Sequence, residues 1–549
     1  MTLAFSSTTD LGGAPAHPTT AAAFPATVTP EQLQSWLQDG QEIALLDVRE
    51  FGQYGEGHPF FAVSAPYSQL ERVAPLLVPR ADVRTVVFDD ADSIATLAAE
   101  RLRGLGYTAV AILTGGAPAW QAAGFTLFKG VNLPSKTFGE WAEHAYDTPH
   151  ISATELARRQ SAGEPLVLID GRTLAEHRKM TIPGAIPIPN GELGLRLGSV
   201  VTDPDVPIVV HCAGRTRSII GAQTLRNLGV TNPIVALENG TQGWALAGLT
   251  LEHGSTRVPP DVQPERAQRQ IDAAARLLAE RHDVARLTSE TAQRWLEDPA
   301  RTTYLIDVRT AEEFAATTLL GAVHAPGGQL VQATDHTIGV RHARVILVDN
   351  GEYDPRAAVA ASWLSQLGFE AAVVADGVRA PISRATPLTD AAHRVLTQTP
   401  GDALAGDALR TYRSHAATVI DVRSSTAYRQ SHPEGAVWSI RPVLVHAVPH
   451  GTARVLLIAD TAATAALAAV DLRASGVNDV AWTTASHWHD AGLPTAASPD
   501  VPADGDAIDY LFFVHDRHDG NLDAARRYLD WEIGLLAQCV HGELDGFTT

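Results

Sequence analysis

A short apolar run ending in an aspartate and an arginine-bearing turn occurs four times in this chain, as IALLDVRE, LVLIDGRT, TYLIDVRT and ATVIDVRS. The aspartates are Asp47, Asp170, Asp307 and Asp421, each more than a hundred residues beyond the last. Solenoid repeats have periods of roughly 20 to 50 residues. Spacing on the scale of whole domains therefore predicts tandem domains within the 549 residues.

The same succession follows each aspartate. First comes a turn with a Gly-Ala or Pro element: GHPFFAVSAP, TIPGAIPIP, LLGAVHAP and HPEGAVWSI. A β-branched apolar run then leads into an Ala/Leu-rich stretch that closes at Gly106, Gly229, Gly368 or Gly476. A last short strand ends in a glycine-to-tryptophan turn, Gly116 to Trp120 and Gly240 to Trp244, reduced to DGVRA after Asp376 and to SHWHDAG around Trp488. Alternating short strands and helices predict an α/β class, each module a short, mostly parallel sheet flanked by helices. In such sheets the functional loops lie at the carboxyl ends of strands. The expected boundaries are 26–128, 149–254, 284–382 and 401–496, with a helical linker near 265–283. A C-terminal strand-helix tail is expected over 505–549. It should run as a strand, a turn at Asp519-Gly520 and an amphipathic helix from Asn521, with Leu522, Ala525, Leu529, Ile533, Leu536 and Val540 on its apolar face.

Composition narrows the function. A net charge of −20 repels phosphate backbones and anionic lipid, so neither nucleic acid nor a membrane is an expected partner. The lysines are Lys129, Lys136 and Lys179 alone, so most positive charge is guanidinium, the group suited to forked contact with oxyanions. The two cysteines, Cys212 and Cys539, are too few for a disulfide framework or a four-thiolate zinc site and point to a reducing compartment. No apolar run approaches about eighteen residues and the first basic residue is Arg49, so a cytoplasmic protein without signal or span is expected.

The combination of LIDGRTLAEH, IPGAIPIP, VVHCAGRTRS and NGTQGW in the second module resembles the rhodanese family of sulfurtransferases. Nearly the whole chain resembles four rhodanese-like modules, and the closing segment is similar to the tail of multidomain bacterial members. The resemblance implies transfer of a sulfane sulfur through a Cys212 persulfide. The donor would be anionic, thiosulfate or a related persulfide, and the acceptor thiophilic, cyanide or a thiol; no cofactor is implied. It also implies that Asp170 orients the active loop. The second module departs from the family pattern at Gly171 and at Met180-Thr181, where Gly-His is usual.

The residues around Cys212 support that chemistry on their own terms. A thiol acts as its thiolate, which requires a site that stabilises negative charge. Cys212 closes a strand and the next helix is expected around Ser218, so Cys212, Ala213, Gly214, Arg215, Thr216 and Arg217 should curl at a helix N-terminus. Amides of this loop, with Ser218 behind them, form a candidate anion nest, and Arg215 and Arg217 add permanent charge. Asp170 and Arg172 are the supporting residues. Persistence of the aspartate in modules without a cysteine favours a structural role for all four, and Arg172 is expected to pair with Glu176. His211, Trp120, Trp244 and Cys539 read as packing residues. The histidines of HWH at 487–489 and HDRH at 515–518 lack the partners of a zinc site, and no metal is expected.

Asp89, Asp349 and Ala459 stand at or near the nucleophile position in the other modules, which should be inactive and wall the second module's pocket. Two other functions remain open. One is a non-enzymatic persulfide carrier or docking scaffold built on the same cysteine. The other, a phosphatase or arsenate reductase, is disfavoured because four residues, not five, separate Cys212 from Arg217.

Overall fold

The structure is a computed structural model that describes residues 24–549 apart from 281–283, 399, 416, 516, 518 and 519. Asp519 of the expected turn and Asp516 and His518 of the HDRH run lie outside the described residues.

Among the described residues four larger sheets form along the chain, each with its core strands parallel, and His432–Pro433 pairs antiparallel with Thr495–Ala496 in a small fifth sheet. In the second module the order across the sheet is His150–Ile151, Ile234–Leu237, Ile208–His211, Val167–Asp170 and Ile186–Pro187. The third module repeats it with Ala285–Leu287, Glu370–Val374, Arg344–Val348, Thr303–Asp307 and Val323–His324. The first has the same order and gains Val340–Arg341 from the third, paired antiparallel to Ile43–Asp47. Residues 418–483 form a four-stranded version of it. Strands buried on both faces explain the runs of Val, Ile and Leu, because crossover helices cover both sides of a parallel sheet.

The aspartate motif is a structural device in every copy. Each aspartate ends a strand and accepts from the Nε and Nη2 of the arginine two residues on: Asp47–Arg49, Asp170–Arg172, Asp307–Arg309 and Asp421–Arg423. The same arginine donates to the carbonyl of Gly57, Met180, Thr317 or Ser431, at 2.6–2.7 Å. One ion pair thus ties strand end to the turn after the following helix. The expected Arg172–Glu176 pair is absent: the short i,i+2 arc seats Arg172 on Asp170, and Glu176 turns to Arg217.

The modules share cores. One apolar cluster joins Leu46, Val87 and Leu102 of the first module to Ile306, Val345 and Leu364 of the third, and reaches Ile220 of the second and Phe138 of the linker helix Leu133–Tyr146 between the first two modules. Arg441 of the fourth module is buried against Glu71 of the first, at 2.6 Å, and against Asp471. The linker near 265–283 contains the helix Pro264–Glu280.

The tail departs from its expected form. Phe512–His515 is a helical turn, not a strand. Aromatic packing holds this segment: Phe513 lies against Tyr528 and Trp531, and no ladder partner is present among the described residues. The main helix, Leu522–Ile533, begins at the Asn521 cap, as its sequence suggests. Its buried face is Ala524, Ala525, Tyr528, Leu529 and Glu532, whereas Leu522, Ile533 and Val540 are exposed. A break at Gly534 before Leu535–Gln538 puts later residues out of phase, and the face meets a polar pocket as well as a core. Among the described residues no helix is long and apolar enough to cross a membrane.

Candidate active site around Cys212

Cys212 follows the strand Ile208–His211, and the helix behind it is Thr216–Asn227, two residues earlier than expected. Its side chain is 2% exposed, and its Sγ accepts from Ser218 Oγ at 3.1 Å. No acceptor among the described residues meets the amides of residues 213–217. Orphan amides at a helix start are suited to hold an anion.

The turn from Gly240 braces this loop. Thr241 N donates to Cys212 O at 2.9 Å, and Gln242 donates through N and Nε2 to Ala213 O, both at 3.1 Å. Gly240 has φ +50°, and a Cβ there would run into Cys212 O. Trp244 is buried and donates to Thr250 O at 3.0 Å, the same geometry as Trp120 to Thr126 O, so both anchor cores.

In the first and third modules a carboxylate takes the place of Cys212 and closes the loop. Asp89 accepts from the amides of Ala91 and Ala95, both at 2.9 Å. Asp349 accepts from those of Gly351 at 2.8 Å and Ala357 at 2.9 Å. Ala91 and Ala95 stand where the second module has Gly214 and Ser218. Ala459 in the fourth module has no side chain able to react or to fill that place.

Behind Cys212, Asp170 gathers a buried polar group. Besides Arg172 it accepts from Thr181 Oγ1 at 2.8 Å and pairs with His177 Nδ1 at 3.0 Å, whose Nε2 meets Ser255 Oγ. Thr318 makes the same bond to Asp307 in the third module, whereas His58 and His432, at this position in the first and fourth, bond backbone carbonyls. His211 is fully buried with its Nδ1 3.3 Å from Cys212 O, and burial pulls its pKa down to about 4, so the ring is neutral. His177 escaped the sequence reading; the other modules carry aromatic rings at this position, Tyr54, Phe314 and Tyr428.

The two loop arginines are already paired. Arg217 makes a two-pronged contact with Glu176, at 2.7 and 2.8 Å, and reaches Gln329 of the third module. Burial disfavours the Glu176 charge, yet Arg217 beside it pulls the pKa down to about 2. Arg215 Nε bonds Glu140 at 2.7 Å, and its Nη2 bonds Glu143, both on the linker helix Leu133–Tyr146. Burial pushes Glu140 up to about 7 against the pull of Arg215.

Other parts of the chain close the pocket over Cys212. Lys136 comes from the linker helix, Gln332 from the third module, and Arg517, Tyr528 and Glu532 from the tail. Lys136 Nζ bonds Glu532 Oε1 at 2.9 Å, as does Thr216 Oγ1 at 3.1 Å. The sequence offers the stretch NLPSKTFGEWAEH from Asn132 and the tail helix as braces of this pocket, but singles out none of these residues. The one available signal was the scarcity of lysine, which makes Lys136 unusual. Cys539 lies partly buried by Phe60, Phe128 and Leu535, and burial pushes its thiol up to about 12.

A family model described as the rhodanese-like domain matches residues 29–123, 152–247 and 288–380. The crystal structure of a thiosulfate sulfurtransferase from Pseudomonas aeruginosa is 37% identical, with a TM-score of 0.85 over 96% of this chain and 100% of that one. An HTH-type transcriptional regulator of Mycobacterium tuberculosis is 36% identical over 107 residues, 19% of this chain and 45% of that protein. A protein of Allochromatium vinosum named sulfurtransferase is 30% identical over 101 residues, 18% of this chain and 92% of its own length. The chain spans about half the length of the first curated relatives it matches, 45% and 54%.

Proposed function

The chain belongs to the rhodanese family, and on that premise we propose that its second module moves a sulfane sulfur from an anionic donor to a thiophilic acceptor through a persulfide on Cys212. Thiosulfate or a related persulfide is the donor, and cyanide or a thiol the acceptor. The Cys212 thiolate attacks the outer sulfur of thiosulfate; a new S–S bond forms while the old one breaks, and sulfite leaves with the bonding pair. Cyanide then attacks the terminal sulfur of the persulfide, thiocyanate departs and the thiolate returns. Two half-reactions sharing one covalent intermediate give ping-pong kinetics.

One observation carries this reading. At the seat where Asp89 and Asp349 fill the loop with their own carboxylates, the second module places a thiol and leaves the amides of 213–217 without acceptors. These amides, with Ser218 Oγ, suit the thiolate and the negative charge on the persulfide. The division of labour follows: residues 149–254 form the active module, and 26–128, 284–382 and 401–496 form inactive ones.

Steady-state thiosulfate:cyanide kinetics, with intact mass spectrometry of the protein after thiosulfate alone, test the proposal. Wild type should gain the mass of one sulfur atom and Cys212→Ser should neither gain it nor turn over, while Cys539→Ser behaves as wild type. Turnover retained by Cys212→Ser refutes the assignment. A stable persulfide without turnover would identify a carrier instead of an enzyme.

A further inference from the structure

Arg215 and Arg217, the cations that the loop itself supplies, are bonded to Glu140, Glu143 and Glu176. Lys136 is held in a different way. Its partner, Glu532, is a tail residue only 1% exposed, and just one of its oxygens is used, by Lys136 and Thr216. The other, Oε2, is buried without a hydrogen-bond partner. It lies against the active loop, 2.9 Å from where a Cβ on Gly214 would stand. A buried carboxylate oxygen with no donor costs free energy, and in a native structure such an atom calls for an explanation.

The space around it is small. The pocket shared by Cys212, Lys136 and Glu532 has a volume of about 30 Å3, room for a water or two or for the added sulfur of a persulfide. Thiosulfate, with five heavy atoms, needs more. Sister modules show what an internal carboxylate does at such a loop: those of Asp89 and Asp349 accept the amides that an anion would use. Glu532 brings a carboxylate of the chain itself to the edge of the open loop.

From this arrangement we infer that Glu532 occupies the seat of the donor's anionic end, and that Lys136, with Thr216, binds that end when the tail helix gives it up. Lys136 is then a donor-binding residue and Glu532 a specificity-determining one, which a donor must be anionic enough to displace. Arg517 also lines this pocket and favours the Glu532 charge from the tail side. The inference rests on the sulfurtransferase reading above and adds the binding site for the part of the donor that does not stay on the enzyme.

Opposite responses of two variants of the full chain test it, with thiosulfate varied at fixed cyanide. Lys136→Met removes the cation that binds the donor, and KM for thiosulfate should rise about tenfold, the scale of one charge-assisted hydrogen bond. Glu532→Gln removes the competing charge, and KM should fall severalfold. An ion pair that merely braces the tail is broken equally by either change, so shifts in the same direction, or no shift in either, overturn the inference. Lys136→Met leaves a buried carboxylate uncompensated and can cost the fold; the double variant Lys136→Met/Glu532→Gln avoids this. Its KM should match the raised value of Lys136→Met, and a wild-type or lower value overturns the inference. Failure of wild type to gain a sulfur on Cys212 removes the parent reading and this one together. A persulfide formed normally, with parallel KM shifts, removes this one alone.

Discussion

At the scale of single residues, the charges around Cys212 are paired with one another. Arg217 with Glu176, Arg215 with Glu140 and Glu143, and Lys136 with Glu532 bring carboxylates onto both loop arginines and the pocket lysine. Removing one partner from a buried pair strands a charge in low dielectric, which makes these pairs strong determinants of geometry and poor sources of net stability. Glu140 gives a measurable consequence. Burial raises its pKa to about 7 in the folded protein, against about 4.3 unfolded. The folded state therefore holds that proton more tightly. Its contribution to stability is present in full below about pH 4.3 and is lost as the pH rises through about 7. Glu140→Gln should flatten the fall in Tm across that window, with Glu143 still bonded to Arg215, and thermal melts between about pH 4 and 8 check it. An unchanged slope places the proton elsewhere.

At the scale of elements, the glycine and the tryptophan of the recurrent turn have separate duties. Gly116, Gly240 and Gly377 all have positive φ, and the next residue in each case donates to the carbonyl of Asp89, Cys212 or Asp349 at 2.8–2.9 Å. The third module keeps this glycine and loses the tryptophan; the fourth keeps Trp488 and has Thr484 at the glycine position. The glycine thus belongs to the loop that carries Asp89, Cys212 or Asp349, and the tryptophan to the core. Gly240→Ala should cut kcat/KM at least about tenfold, since a 1 Å shift in a reacting group costs more than that, while circular dichroism stays that of a folded protein. Full activity in this variant would show that the loop keeps its shape without the brace. The repeated turn was legible in the sequence because glycine in a left-handed turn and a large anchor leave residue-level marks. The tail was misread because Phe512 and Phe513 suit a strand or an aromatic cluster equally, and only a neighbouring edge or Trp531 decides between them.

At the scale of the whole molecule, the pocket at Cys212 is closed by the third module, the helix Leu133–Tyr146 and the tail. The third lends a strand to the first module's sheet and presents Gln329 and Gln332 to the second. The linker helix approaches the active helix so closely that a Cβ on Gly139 would lie 2.7 Å from the Thr216 side chain. An isolated 149–254 fragment loses Lys136, Glu140, Glu143, Gln332, Tyr528 and Glu532 together, and it uncovers Ile220 and Leu228, buried in clusters shared with other modules. Its kcat/KM for thiosulfate should be lower than that of the full chain by about tenfold or more, the loss expected from one charge-assisted contact. A folded fragment with full-length rate and donor preference would make the other modules dispensable.

The fourfold aspartate motif, the α/β class, the thiol unique to the second loop and the carboxylates at the same place in the first and third could all be read from the chain alone. Each is written in residues close in sequence, where strand period, turn chemistry and an i,i+2 ion pair leave local marks. The partners of Arg215 and Arg217, the lysine beside the pocket and the glutamate that fills its edge come from segments as far apart as Lys136 and Glu532. No local pattern announces them: a charged residue on a helix face reads as solvated until packing buries that face, and where it is buried is set by how four modules and a tail close on one another.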